Sequence, residues 1–201
     1  MEYEVDGLII TNDKRRSLGS GKLTVLLERW CAFSPDHPTT LLCLRMMKKV
    51  ISSSKVESML DVGTGTGVLA IAGLKLGVKR AVGVDISRIA VFSARRNKRL
   101  NSMEQFEIKL GSIESVEGSF DLIVANLLLS TILELAGGLR DLLSPRGTLI
   151  LSGVYESELR LLEKRLAELG LELREAITAL QFIPDYGNVT WAAATFIRSI
   201  Q

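Results

Sequence analysis

The sequence predicts an α/β fold in which a mostly parallel sheet of seven strands is doubly wound, with helices on both faces. Three observations carry that reading. From Val56 onward, short apolar runs alternate with helical patterns without interruption. The first runs are apolar almost throughout, as strands buried on both faces are. And the first run ends in Asp61-Val62-Gly63-Thr64-Gly65-Thr66-Gly67, with Asp85 closing the next run eighteen residues after Gly67. A strand, a glycine-rich turn, a helix and a second strand ending in an acid form the unit that holds an adenosine-containing cofactor.

The elements follow in order. Residues 1–37 are the least regular part and read as an N-terminal extension and lead-in loop. Val5–Thr11 and Leu23–Leu27 are expected as short strands around a polar, basic turn at Asp13–Gly21. Residues 38–201 read as the α/β domain. Pro38 with Thr39 and Thr40 starts a helix running to about Ser53. Strands are expected near 57–62, 80–85, 105–110, 120–126 and 147–153, and helices near 67–76, 87–100, 127–143 and 156–169. Ser87 suits an N-cap, and Pro145-Arg146-Gly147 suits a turn into the fifth of those strands. Leu171–Thr178 and Val189–Ile197, around the Pro184–Asn188 loop, complete the sheet. In such sheets ligands bind beyond the carboxyl ends of the strands where the strand order reverses, so Gly63, Asp85 and Asn126 should converge there.

Bulk properties narrow the class. The chain has 201 residues, 47% of them hydrophobic, enough to bury a real core. A formal net charge of +2 gives no push toward a nucleic-acid partner. Cys31 and Cys43 make no disulfide framework, and Met1–Glu4 has no signal-peptide core, so a cytoplasmic protein is expected. No uncharged apolar run reaches membrane length, so no membrane partner is expected.

Two cofactor frames fit the glycines. Gly65-Thr66-Gly67-Val68-Leu69-Ala70 matches a dinucleotide fingerprint, but then Asp61–Thr64 stands where an apolar strand should continue. The frame Asp61-x-Gly63-x-Gly65-x-Gly67 suits S-adenosylmethionine, with Asp61 facing the cationic amino group of the methionine moiety and no pyrophosphate to seat. Asp85 would accept hydrogen bonds from both ribose hydroxyls. Asn126, at the tip of Phe120–Asn126, offers an amide to a neutral amine whose lone pair must be aimed at a methyl carbon, a reaction that depends on alignment. The same Asn would also suit a cap for the next helix. Ser112 follows the third strand, where a polar side chain meets an adenine amino group or simply ends a loop. His37, the single histidine, stands in Asp36-His37-Pro38 and could touch a ligand or order the loop. No Cys/His or carboxylate grouping has metal-ligand spacing. The basic run Arg95-Arg96-Asn97-Lys98-Arg99 has the look of an RNA patch, but closes a helix, where cations offset the macrodipole; a solvated face is expected.

Taken together, these segments resemble the ribosomal protein L11 methyltransferases (PrmA type) among the class I S-adenosylmethionine enzymes. Ala32-Phe33-Ser34-Pro35-Asp36-His37-Pro38-Thr39-Thr40 with Leu42-Cys43-Leu44 is similar to the family's AFGTGTHPTT…LCL segment. Leu60–Gly67, Val82–Ile86, Val124–Leu128 (the family's ANIL) and Gly147–Gly153 continue the likeness. The resemblance implies a Rossmann-like class I methyltransferase domain over residues 38–201, with Thr40, Gly63, Asp85 and Asn126 in contact with S-adenosylmethionine. It implies methylation of protein amines, lysine side chains and an N-terminal amine, on a ribosomal protein. Two departures stand out. The family's FGTGT is replaced by Phe33-Ser34-Pro35-Asp36, one residue shorter with a stiff proline. About thirty residues precede the domain where members carry a recognition domain, too few for an independent core. The expected function is an N-methyltransferase acting on a protein amine. A small-molecule or RNA methyltransferase, a silent S-adenosylmethionine-binding module and an NAD enzyme are the alternatives.

Overall fold

A computed structural model describes residues 2–15, 23–28 and 36–199. Its main sheet has seven strands: β4 (Ser58–Val62), β5 (Arg80–Asp85), β6 (Phe106–Leu110), β7 (Phe120–Asn126), β8 (Leu143–Tyr155), β9 (Leu171–Ile183) and β10 (Gly187–Arg198). Their order across the sheet is β6-β5-β4-β7-β8-β10-β9. The first five are parallel, while β10 lies antiparallel between β8 and β9. The helices are α1 (Pro38–Ser53), α2 (Val68–Lys75), α3 (Arg88–Leu100), α4 (Leu129–Leu142) and α5 (Leu159–Ala167). This is the expected doubly wound architecture, and every expected helix and sheet strand is present within a few residues.

Alternation along the strands sorts the core into two halves. Met59, Leu122, Val124 and Ile150 point toward α1 and α2, while Leu60, Val62, Ile123, Ala125 and Leu149 point toward α4 and α5. Asp61 shares the Met59 face, so it points toward the α1 and α2 layer rather than the opposite one. From β4 the chain winds outward through β5 to β6, then crosses back to β7 on the other side of β4. The strand order therefore reverses between β4 and β7, which places the ligand site above Val62 and Asn126.

The N-terminal part differs from the expectation in one respect. Val5–Thr11 is not a single strand: β1 (Glu2–Val5) and β2 (Leu8–Thr11) form a hairpin turning at Asp6-Gly7, both with positive φ. An Asp-Gly pair between short strands is a hairpin signal in its own right. β3 (Leu23–Leu26) pairs in parallel with β2 to make a separate three-stranded sheet. Val5, Leu8, Ile10, Val25 and Leu27 pack into the same core as α1 and α2. Asn97 on α3 and Asn101, one turn further on at the C-cap of that helix, tie this segment down. Asn101 accepts from Leu26 N (2.9 Å) and donates to Leu26 O (2.6 Å), as a neighbouring strand would. Asn97 accepts from Glu28 N (2.8 Å) and donates to Thr66 O (2.9 Å) in the glycine loop. Most of the expected Asp13–Gly21 turn, Cys31 and the Phe33-Ser34-Pro35 segment lie outside the described residues.

A second difference lies in β8, which begins at Leu143 rather than after Pro145-Arg146-Gly147. Phe120 pairs with Leu143 and Leu122 with Thr148, so the Pro-Arg-Gly segment is accommodated as an irregularity inside the strand. Among the described residues no helix is long and apolar enough to cross a membrane.

Candidate active site

The loop after β4 is organised by two carboxylates with different duties. Gly63 N and Thr64 N both donate to Val84 O (2.9 Å each), holding the loop against β5. Asp85, at the end of β5, accepts from Gly65 N through Oδ2 (2.9 Å) and from Ser87 N through Oδ1 (2.8 Å). An ionised carboxylate has room for about four donors, so each oxygen keeps a place for a further hydroxyl.

Asp61 is 1% exposed and does not line the cavity described below. Its Oδ2 accepts from Thr64 Oγ1 (2.7 Å) and from Ala70 N (3.2 Å) in the first turn of α2. The N-cap of α2 is Gly67, which has no side chain to bond an orphan N–H. Asp61 supplies that acceptor from the strand end. Burial pushes its carboxyl up from 3.8 to about 7, against the two hydrogen bonds, and the nearby Asp85 charge adds to the rise. Asp61, expected to face a cationic amino group, thus serves in this structure as a cap on α2.

A cavity of about 570 Å³ opens over the ends of β4, β5 and β7. Gly63, Gly65, Asp85, Ser112 and Asn126 all border it, together with Ile86, whose side chain is 82% exposed at the rim. Thr40 stands behind the wall instead, 2% exposed, where Asn126 Nδ2 donates to its Oγ1 (3.3 Å). That bond uses the amide nitrogen and leaves the amide oxygen of Asn126 as an acceptor. Asn126 does not cap α4, whose N-cap is Leu128.

Close packing around the tip of β7 depends on two glycines. Gly63 has φ +72°, and a Cβ there would meet Leu127 Cδ2 at 2.6 Å. Gly153 has φ +88°, and its Cβ would lie 2.4 Å from Leu127 O. Gly153 is also the unpaired residue of a bulge: Ala192 pairs with Val154, and Ala193 with Ser152. The bulge sits beside Trp191, which pairs with Tyr155.

Trp191 forms the far wall. Its indole packs edge-on to His37 (4.9 Å between centroids) and stacks with Tyr155 (4.7 Å), while its N–H donates to Gln181 Oε1 (2.7 Å). His37 caps α1, accepting from Thr39 N, and burial holds its imidazole below the usual value against the pull of Asp36. A second groove of about 410 Å³ shares Leu128, Gly153 and Trp191 with the cavity and leads out past Tyr155 and Glu158. Cys43 is no candidate nucleophile: burial pushes its thiol up to about 12.

Sequence reasoning singled out His37 but missed Trp191, Tyr155, Gly153 and Ile86. Ile86 directly follows the acid that ends β5 and was within reach. The others reach the site through β8–β10 pairing, which local patterns do not report.

Comparison with known proteins points to one family. A family model described as "Ribosomal protein L11 methyltransferase (PrmA)" matches residues 6–182. The ribosomal protein L11 methyltransferase of Halalkalibacterium halodurans is 34% identical over 88% of this chain and 52% of its own length. That of Myxococcus xanthus is 36% identical over 82% and 57%. The chain thus spans about half the length of the curated relatives it matches. The crystal structure of a ribosomal protein L11 methylase from Lactobacillus delbrueckii subsp. bulgaricus superposes with a TM-score of 0.84 at 29% identity, covering 97% of this chain and 96% of that one.

Proposed function

This chain belongs to the ribosomal protein L11 methyltransferase (PrmA) family, and from that membership we propose that it transfers a methyl group from S-adenosylmethionine to a protein amine, a lysine side chain or N-terminus of ribosomal protein L11. The observation that carries the reading is one continuous opening. Asp85 stands at one side of the cavity and Asn126 at the other, and a groove walled by Trp191 and Tyr155 leads outward from the Asn126 side.

The residues present fit the cofactor. The cavity volume lies in the range of small-molecule sites. Asp85 has one unused acceptor place on each oxygen, which is what the two hydroxyls of a ribose require. Ser112 would meet the adenine edge, and the exposed Ile86 would be covered by its face. The backbone of Gly63 and Gly65 would approach the remainder. When bound, S-adenosylmethionine supplies an electrophilic methyl carbon on a cationic sulfur.

The chain's own residues then act on the acceptor. Asn126 Oδ1 accepts an N–H of the amine and so orients its lone pair, while Thr40 fixes the amide from behind. Leu127, Leu128 and Trp191 desolvate the amine. Desolvation disfavours an ammonium, so it raises the share of the neutral, nucleophilic form. His37 contributes order rather than charge, because burial favours its neutral ring.

The test is transfer of radiolabelled methyl from S-adenosylmethionine to purified ribosomal protein L11, with the modified residues mapped by mass spectrometry. Label on lysine or the N-terminal amine is the expected result. Label only in RNA or in small molecules of a cell extract would keep the transferase and overturn the acceptor. Cofactor binding with no transfer to any fraction would make the chain a silent binding module.

A further inference from the structure

The outward face of α3 has a chemistry that methyl transfer does not use. At 3.6 residues per turn, positions 88, 89, 92, 95, 96 and 99 fall within an arc of about 120°, and all of them are exposed. They are Arg88, Ile89, Phe92, Arg95, Arg96 and Arg99: arginines and large apolar side chains, with no acid among them. Ile89 and Phe92 are each 61% exposed. The basic run noted in the sequence is thereby divided. Asn97 is buried and structural, Lys98 pairs with Glu104 (3.9 Å), and Arg96 donates to Glu28 (Nε, 3.1 Å). Among the described residues Arg88, Arg95 and Arg99 have no ion pair. Phe92, Arg96, Arg99 and Leu100 border a shallow hollow of about 430 Å³ next to Glu28.

We propose that this face binds single-stranded RNA, with Arg88, Arg95 and Arg99 on phosphates and Phe92 beneath a base. The chain as a whole is nearly neutral, at +2, yet this face gathers like charges along three turns. That arrangement is unfavourable alone and favourable against a polyanion. Guanidinium groups match phosphate with paired donors and stack on rings, which ammonium groups do not. RNA brings a flat ring with every charge, and the alternation of arginine with Ile89 and Phe92 fits that repeat. A bilayer surface asks for apolar and charged residues on opposite sides of a helix. Here both share the outward side, and the apolar side, through Ala90, Val91 and Ala94, is buried in the protein. Ser87 and Ala90 at the start of α3 also line the large cavity, so a strand lying along α3 ends at its mouth. The inference holds whichever acceptor is methylated.

The experiment is fluorescence anisotropy of a 5′-labelled dodecamer of uridylate titrated with the full chain between 50 and 300 mM salt. Three phosphate contacts on a single strand predict a slope of log K against log salt of about −2. Arg95→Glu combined with Arg99→Glu should weaken binding at least tenfold and bring the slope to about −0.7. Phe92→Ala should weaken it about fivefold or more and leave the slope unchanged. Urea unfolding checks that each variant is folded; if the double charge reversal is not, Arg95→Gln and Arg99→Gln singly should each lower the slope by about 0.7. Absence of binding at 50 mM salt, or folded variants that bind as the parent does, overturns the proposal. So does equal affinity for polyglutamate or for phosphatidylserine vesicles, which would assign the face to an acidic protein or a membrane.

Discussion

Asp61→Asn separates a carboxylate that holds a ligand from one that holds the fold. In the folded chain the Asp61 carboxyl is pushed from 3.8 to about 7, mainly by burial. A raised acid binds a proton in the native state that the unfolded state has already released. Its stabilising contribution is therefore complete below about pH 4 and is lost as pH rises through about 7; above that, both states are ionised and the curve is flat. The interval from 3.8 to about 7, at about 1.4 kcal/mol per pH unit, amounts to about 4 kcal/mol. At 1% exposure the carboxyl is not screened by solvent. Asparagine keeps an acceptor for Thr64 Oγ1 and Ala70 N but cannot ionise. Urea unfolding of both proteins from pH 4.5 to pH 8.5 is the assay, and the difference between the curves is the quantity of interest. Other titrating groups cancel in it, including His37, whose lowered value makes stability rise with pH. The variant should gain on the parent by several kcal/mol across this range, most steeply between pH 5 and pH 7. Its affinity for S-adenosylmethionine should stay within about threefold, because Asp61 does not border the cavity. Parallel pH profiles with a tenfold loss of cofactor affinity would refute the capping account and restore Asp61 as a ligand.

Other substitutions probe the rest of the site. Asp85→Ala should weaken S-adenosylmethionine binding by about 1.5–3 kcal/mol, the usual loss of charge-assisted hydrogen bonds; calorimetry showing no change would remove Asp85 from the ribose position. Asn126→Ala should lower kcat at least tenfold while changing cofactor affinity less than threefold; equal losses in both would make Asn126 a cofactor contact only. Gly153→Ala places a methyl group 2.4 Å from Leu127 O on a backbone at φ +88°. Overpacking and the left-handed conformation together should cost about 2–4 kcal/mol, read as a lowered unfolding midpoint, and an unchanged midpoint would mean that the β7 tip moves freely. Asn101→Ala removes both hydrogen bonds to the Leu26 backbone and should destabilise by about 1–3 kcal/mol. Hydrogen exchange should then rise in β3 before it rises in β4, and uniform exchange would count against a local tether.

The parallel half of the sheet was legible because its signals are local. Each strand is a short apolar run, each helix has its own period, and Gly63, Gly65 and Asp85 belong to one strand–loop–helix–strand unit of fewer than thirty residues. Asn126 was legible for a related reason: it ends a strand whose neighbours the topology dictates. The partners of Asp61 were not legible, because a carboxylate at a strand end can serve either side of the sheet and composition does not say which. Parity does. Asp61 lies two residues after Met59 on the α1 and α2 side, and Gly67 leaves α2 without a side-chain cap, so an acceptor had to come from somewhere on that side. The far wall is of a different kind. Trp191 meets Tyr155 across an antiparallel pairing of strands separated by a helix and another strand, and the Gly153 bulge sets which way that pairing faces. A bulge adds one residue to one strand and turns the residues beyond it to the other side. The side of the site that would meet the acceptor is therefore built from non-local register, while the side that would hold the cofactor is built from local sequence.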